Sequence, residues 1–309
     1  MFKAALALIA LAVVALASIS CGSDEPSRSR WRLVLEPEAV EQIDDLDVVV
    51  EGVIDVAKRR ITEFGGDVAS IKRTGDAGVA IEFTGLLLED AEILLEQTGL
   101  LQFCEPVTDE DGNVAIVRGG SVNYEAGTCE PERDEAGGIV LEPRFDRDGN
   151  MLPAGEIEFV PWAPQGAPGA ANNPPDNDIV WQLATGRIEG EEIALDSTYL
   201  RPNTSVAIMG FLEQPTLFFE FEGAGVAALE QVTERLSQRN YPIAVFIDGE
   251  PLPDSNGLII APQVVATLDR GQGVISGLSE ETAEELSMLL NSGAYPATVR
   301  IVEVTLVGD

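Results

Sequence analysis

The two ends of the chain carry the same order of strand and helix patterns, and this repetition constrains the fold more than any other feature. In residues 31–107 the order is strand, helix, strand, strand, helix, strand. The first helix has one apolar face at helical spacing and stops at Gly65, and the strand around Ile81 follows a period of two. This order is typical of the split β-α-β unit of ferredoxin-like folds.

Residues 181–309 repeat that order. The strand "YPIAVFIDG" runs into Asp248-Gly249, a strong hairpin signal, and "GLIIAPQVVATL" is predicted to return as a strand in which Pro262 requires an edge or a bulge. We therefore predict an α+β fold of two ferredoxin-like β-α-β-β-α-β units. Periodicity leaves open whether the units form separate sheets or exchange strands.

Residues 108–180 are rich in Gly, Pro, Asp and Asn, and they are predicted to form an irregular insertion that joins the two units. Its two similar tips, "TDEDGNV" and "FDRDGNM", are typical of hairpin turns. The alternative is a calcium loop with ligands at Asp146, Asp148 and Asn150. Met151 stands where such a loop needs glycine, so we predict no metal site and no cofactor.

The charge balance excludes several classes of function. The chain has 53 acidic and 19 basic residues, a net charge of −34, and no histidine. This charge repels nucleic acid, and the lack of histidine rules out a Ser-His-Asp triad and a His-bearing zinc site. We predict that the protein is not an enzyme. A hydrolase built on paired carboxylates is the weaker alternative.

The first 20 residues are typical of an export signal. Lys3 precedes an apolar run, small residues follow it, and Cys21 comes directly after them. This arrangement resembles a bacterial lipoprotein signal, in which Cys21 would carry the lipid, while an uncleaved membrane helix and free secretion are the alternatives. Residues 1–21 are thus the predicted anchor and residues 22–30 a tether. The body is expected outside the cytoplasm, in the bacterial cell envelope.

Two cysteines remain, Cys104 and Cys129. In an oxidising compartment they are able to pair and close a loop of about 25 residues. The alternative is one buried strand thiol and one loop thiol. The sequence does not decide between them.

The last third of the chain contains a series of motifs that resembles the SecD-type protein translocase subunits. The "DG…ISAP", "G…I.G" and "L..GALP..V.IVEE..VG" segments of that family occur here in the same order and with suitable spacing. The matched positions are Asp248, Gly249, Ala261, Pro262, Gly277, Gly293, Pro296, Glu303 and Gly308. Most of these residue types are turn or edge signals, so we expect them to maintain the fold.

The resemblance implies the first extracytoplasmic domain, P1, of a SecD-type subunit, with its base and head, in a stand-alone lipoprotein-like chain. The implied function is accessory to protein export: binding emerging polypeptides or translocase subunits while anchored to the membrane. The family's Asp-Leu-x-Gly-Gly segment is missing before the first strand, and its further membrane helices are not found, so no proton-driven motor is expected. The alternative is an envelope lipoprotein that reuses the fold for another binding or structural role.

Overall fold

The structure is a computed structural model that describes residues 30–37, 45–146, 150–153, 155–163, 173–209 and 214–307. Its α-helices are α1 Leu46–Glu63, α2 Leu88–Glu96, α3 Ala224–Ser237 and α4 Glu280–Ser292. Its strands are β1 Arg30–Pro37, β2 Asp67–Thr74, β3 Gly78–Thr84, β4 Leu101–Pro106, β5 Val114–Arg118, β6 Glu156–Val160, β7 Trp181–Leu183, β8 Thr185–Ile188, β9 Glu191–Ala194, β10 Ser205–Met209, β11 Gln214–Glu220, β12 Ala244–Ile247, β13 Glu250–Pro251, β14 Gln272–Ser276 and β15 Val299–Val307. The mixed α and β character predicted from the sequence is confirmed.

The first sheet joins the beginning of the chain to its end. Its strand order is β15-β1-β3-β2, and β1 runs antiparallel to both of its neighbours. Residues 31–107 do not form a sheet of their own, because β4 lies in another sheet and β15 completes this one. Of the two arrangements that the sequence left open, the structure shows strand exchange.

Helix α1 covers one face of this first sheet. The carboxylate of Asp45 accepts a hydrogen bond from the Val48 amide at 3.3 Å and caps the first turn. The helix ends before Gly65, whose φ of +85° favours a residue without a side chain. Its apolar face includes Val53 and Ile61, and it packs on the sheet in one core whose buried members include Leu35, Val79, Ile81, Phe83 and Val299. The predicted amphipathic helix is therefore present.

A larger core lies under the remaining elements. A four-stranded sheet of order β13-β12-β4-β7 and a three-stranded sheet of order β10-β11-β14 share it with α3 and α4. Leu217 and Phe219 on β11 are buried, and so is Phe221 directly after the strand, as their alternation predicts. Ser279 caps α4 by accepting a hydrogen bond from the Thr282 amide at 3.0 Å.

The predicted returning strand "GLIIAPQVVATL" is not a regular strand. Its β-bridges are isolated ones, from Ile259 to Pro253 and from Gln263 to Pro242, and single backbone hydrogen bonds supplement them. Proline has no amide hydrogen to give to a ladder, and two prolines in these contacts interrupt the pairing. The second predicted unit therefore also lacks the four-stranded sheet of a complete ferredoxin-like fold.

The insertion at 108–180 is built from hairpins closed by one recurring turn. At Asp109 and Asp134 the side-chain carboxylate accepts hydrogen bonds from the amides two and four residues later, and Asp254, outside the insertion, forms the same turn. Hydrogen bonding lowers the pKa of two of these carboxyl groups: that of Asp109 chiefly through a bond from the Asn113 side chain, and that of Asp254 chiefly through the Leu258 amide. The hairpin interpretation of the first tip is confirmed. No metal-binding cluster of three or more ligands occurs in the described part of the chain.

Asp146 makes the same kind of turn, accepting a hydrogen bond from the Asn150 amide at 2.9 Å. Asp148, the middle ligand of the calcium alternative, lies outside the described residues. A disulfide between Cys104 on β4 and Cys129 links the insertion to the four-stranded sheet that contains β4. The two Cα atoms lie 6.4 Å apart.

The predicted anchor, residues 1–21, also lies outside the described residues. Across the described ranges, none of the helices combines the length and apolar character that crossing a bilayer requires.

Candidate functional site

The described part of the chain contains an apolar groove of about 630 Å³. One wall is strand β14, and the opposite wall is the irregular segment 260–268. Phe103, Phe218, Phe219 and Leu229, from β4, β11 and α3, are among its other lining residues. We call this concavity the head groove.

Strand β14 is the edge of its sheet. It pairs with β11 from Gln272 to Ser276, and within the described residues its other edge has no partner strand. Val274, on this strand, lines the groove with half of its surface exposed. An edge strand presents backbone N–H and C=O groups at hydrogen-bonding spacing, so this wall is a template for another extended chain.

Aromatic rings form the floor of the head groove. The rings of Phe103 and Phe219 lie 5.2 Å apart, and those of Phe219 and Phe221 lie 5.7 Å apart at nearly right angles. Gly273 of β14 lies directly against the Phe219 ring, where an added Cβ would stand 2.3 Å from the Phe219 Cζ atom. A glycine is required at this position because β14 packs directly against the Phe219 ring in the floor of the groove.

The opposite wall carries an unsatisfied acceptor. The Oε1 atom of Gln263 is buried and has no hydrogen-bond partner in the described part of the chain. The backbone beside it is held in place, because Ile243 N donates to Pro262 O at 3.0 Å and Val264 N donates to Tyr241 O at 2.9 Å. A buried acceptor without a donor costs free energy, which an incoming N–H group would recover.

The loop that follows this wall is fixed to helix α3. Leu268 N donates to the Thr233 hydroxyl at 2.9 Å, and that hydroxyl in turn donates to Leu229 O at 2.7 Å. The groove is thus bounded on both sides by backbone that the fold holds in position.

The structure disperses the residues that the sequence singled out. Asp248 lies at a turn with positive φ and accepts hydrogen bonds from Gly99 N at 3.2 Å and Leu100 N at 2.9 Å. Gly249 follows it, and an added Cβ there would stand 2.7 Å from Thr128 N. These contacts hold the β12–β13 turn against the chain between α2 and β4.

Of the remaining family-motif positions, Pro262 lines the head groove and Ala261 precedes it. Gly277 and Gly293 have φ values of +96° and +87°. Glu303 is exposed on β15 and lies opposite Val34, just after the register shift in that strand.

Two motif positions, Pro296 and Gly308, and the lipidation candidate Cys21 remain. Pro296 packs against α1, where its Cγ atom would lie 2.8 Å from a Cβ added to Gly52. Gly308 and the lipidation candidate Cys21 lie outside the described residues.

Arg60 is a buried residue that the sequence reasoning missed. Its guanidinium donates to the carbonyl oxygens of Leu94 at 2.9 Å, Thr98 at 2.7 Å and Gly293 at 3.2 Å, and also to Gln97 O. Burial lowers the pKa of the Arg60 guanidinium. The group therefore ties together the two stretches of chain that run between the first sheet and the larger core.

The aromatic ring of Tyr295 lies under this guanidinium, 4.2 Å from its central carbon. Burial raises the pKa of the Tyr295 hydroxyl to about 12. In the sequence, Arg60 is visible only as an arginine on the apolar face of the first predicted helix. Periodicity does not show which groups such an arginine contacts.

The comparisons identify the class of domain to which this fold and groove belong. Residues 191–297 match the family described as "SecDF, P1 head subdomain", and they include every lining residue of the head groove except Phe103. Together with the relatives below, this match shows that the chain carries a SecD-type P1 domain.

Two curated relatives illustrate the likeness. The protein translocase subunit SecD of Dehalococcoides mccartyi (strain VS) is 27% identical over 82% of this chain and 42% of its own length. The protein translocase subunit SecDF of Thermus thermophilus is 28% identical over 90% of this chain and 30% of its own length. The chain thus spans less than half of the length of these relatives.

Two solved structures share the fold. A SecDF crystal structure in a "Super-membrane-facing form" aligns over 97% of this chain and 34% of its own, with a TM-score of 0.55 and 19% identity. A structure described as a membrane component SecDF that enhances protein export aligns over 89% of this chain and 100% of its own, with a TM-score of 0.51 and 20% identity.

Proposed function

We propose that the protein is a membrane-anchored, extracytoplasmic accessory of protein export that binds extended apolar segments of emerging polypeptides in the head groove. The observation that carries this proposal is the unpaired edge of β14 beside an apolar floor. The relatives are named as translocase subunits, which supports the assignment of the bound chain to export.

Strand addition is the binding mode that this geometry favours. A client segment would pair its backbone with β14, which needs no particular client sequence, and would place alternate side chains on the aromatic floor. Clients that differ in sequence but share an unfolded apolar stretch are therefore accepted. Folded proteins are excluded because their backbone groups are already paired.

Gln263 gives the groove a second polar contact. Its Oε1 acceptor is buried and unpaired, and a rotation of the side chain toward the groove would let it accept a hydrogen bond from a client backbone N–H group. The groove therefore offers hydrogen bonds from both walls and apolar contact from the floor.

The anchor belongs to the same proposal. The leader with Cys21 would hold the body at the outer surface of the membrane, within reach of a translocase exit. The family-motif residues, including Asp248, Gly277, Gly293 and Pro296, would maintain the fold rather than contact clients. No catalytic residue is part of the proposal.

A charge placed on β14 tests the proposal. Val274→Asp puts a carboxylate at a half-exposed position in the apolar groove, and we expect it to weaken binding of a fluorescent, unstructured apolar peptide at least about tenfold. Fluorescence anisotropy measures the affinity. Val48→Asp is the matched control, since Val48 is 64% exposed on α1 and does not line the groove.

Two results would count against the groove as the binding site. One is an unchanged affinity of Val274→Asp, and the other is an equal loss in both variants. Site-specific photo-crosslinking at position 274 in intact cells then tests the role in export. Recovery of secreted chains or translocase subunits supports that role, whereas recovery of only unrelated envelope proteins supports reuse of the fold.

A further inference from the structure

One end of the first sheet is close in sequence to the predicted anchor. Strand β1 begins at Arg30, and its register partner is Val307 near the end of β15. Only residues 22–29 separate Arg30 from Cys21. A chain spans at most about 3.5 Å per residue, so this tether reaches about 30 Å when fully extended.

This end of the sheet exposes apolar side chains. Leu306 is the register partner of Trp31 and is 56% exposed, and Trp31 itself is partly exposed. Leu87 is 59% exposed and follows the end of β3. It lies near this end of the sheet because Phe83, near the end of β3, is the register partner of Trp31. Tryptophan combines an apolar ring with a polar N–H group, which suits the boundary between water and lipid.

Arginines accompany these apolar groups. Arg30 is exposed opposite Val307, and Arg32 is half-buried opposite Thr305 and Glu82. Neither makes an ion pair with a described residue, although other arginines of this acidic chain, such as Arg235, do. A guanidinium presents a planar set of donors that fits phosphate oxygens.

We infer that Arg30, Trp31, Arg32, Leu87 and Leu306, the base patch, rest on the phospholipid head-group layer of the membrane that holds the leader. The arginines bind lipid phosphates, and Trp31 and the leucines enter the boundary with the acyl chains. This inference rests on the anchor in the proposed function but not on the head groove. It implies that the body is held in a fixed orientation rather than hanging freely from its tether.

Quenching of tryptophan emission by brominated lipids tests the base patch. The full chain, anchored by its own leader, is placed in phosphatidylcholine and phosphatidylglycerol vesicles with or without bromine on the acyl chains. The Trp31 signal is the difference from a Trp31→Phe variant. We expect bromine to quench this signal while the fully buried Trp181 keeps its emission.

An Arg30→Gln/Arg32→Gln double variant provides the second readout. Both changes lie at the sheet end, outside the two hydrophobic cores, and they should leave the chain folded and still bound to vesicles in a flotation assay, but with less quenching of Trp31. Vesicle-bound chain whose Trp31 signal is not quenched would overturn the inference. Equal quenching with and without the arginines would overturn the phosphate contacts.

The outcomes separate this inference from the proposed function. Chain that binds peptide through the head groove but shows no quenching refutes the base patch alone. Chain that shows quenching but binds no peptide refutes the groove alone. Chain that does not float with the vesicles refutes the anchor and, with it, the base patch.

Discussion

At the scale of single residues, two polar side chains with several backbone partners, one buried and one half-buried, hold the molecule together. The carboxylate of Asp248 and the guanidinium of Arg60 both bind the chain between α2 and β4, where Asp248 accepts from backbone amides and Arg60 donates to backbone carbonyls. The sequence singled out Asp248 as a turn residue but gave no sign of its contacts. A side chain that binds backbone atoms leaves no mark on the sequence of its partners, so Arg60 was not predictable.

Replacing Arg60 should destabilise the whole protein. Arg60→Met leaves several buried carbonyl groups without a donor, including Leu94 O and Thr98 O, and we expect a loss of at least about 3 kcal/mol in the free energy of unfolding. Denaturation in urea measures it. Arg59→Met, at the exposed neighbouring position on α1, is the control and should change stability by less than about 0.5 kcal/mol. Equal effects of the two changes would contradict the role assigned to Arg60.

At the scale of elements, the sequence predicts each helix well and the strand pairing poorly. The helices have caps and apolar faces that are local properties, such as Asp45 before α1 and Ser279 before α4. Pairing between strands is not local, and β15 and β4 each have the pattern expected of a fourth strand. The choice between them depends on the three-dimensional path of the chain, which periodicity does not contain.

The exchange of strands makes a direct prediction about stability. Val299→Ala removes buried apolar volume from β15 in the core of the first sheet, and we expect a loss of about 2 kcal/mol. Hydrogen exchange should then speed up at amides of β1 and β3, more than 200 residues away in sequence. Leu306→Ala, at an exposed position on the same strand, is the control. Faster exchange confined to residues 181–309 would contradict the shared sheet.

At the scale of the whole molecule, the base and the head groove lie in one chain that folds back on itself. The first sheet combines the segment nearest the predicted anchor with the last strand, while the groove is built from β4, β11, β14, α3 and the 260–268 segment. The family was evident from motifs in the sequence, because its turns require glycine and proline at fixed spacings. The groove was not evident from the sequence. Only the folded structure shows that the Gln263 Oε1 atom and the outer edge of β14 have no hydrogen-bond partners within the described residues.

The central claim is that clients bind by pairing their backbone with the free edge of β14. The measurement that tests it most directly compares the affinity of one apolar peptide with that of the same peptide N-methylated at alternate residues, in both registers. Methylation removes backbone donors and keeps every side chain, so we expect at least one methylated register to lose at least about tenfold in affinity. Equal affinity of the unmethylated peptide and both methylated peptides would contradict strand addition in the head groove.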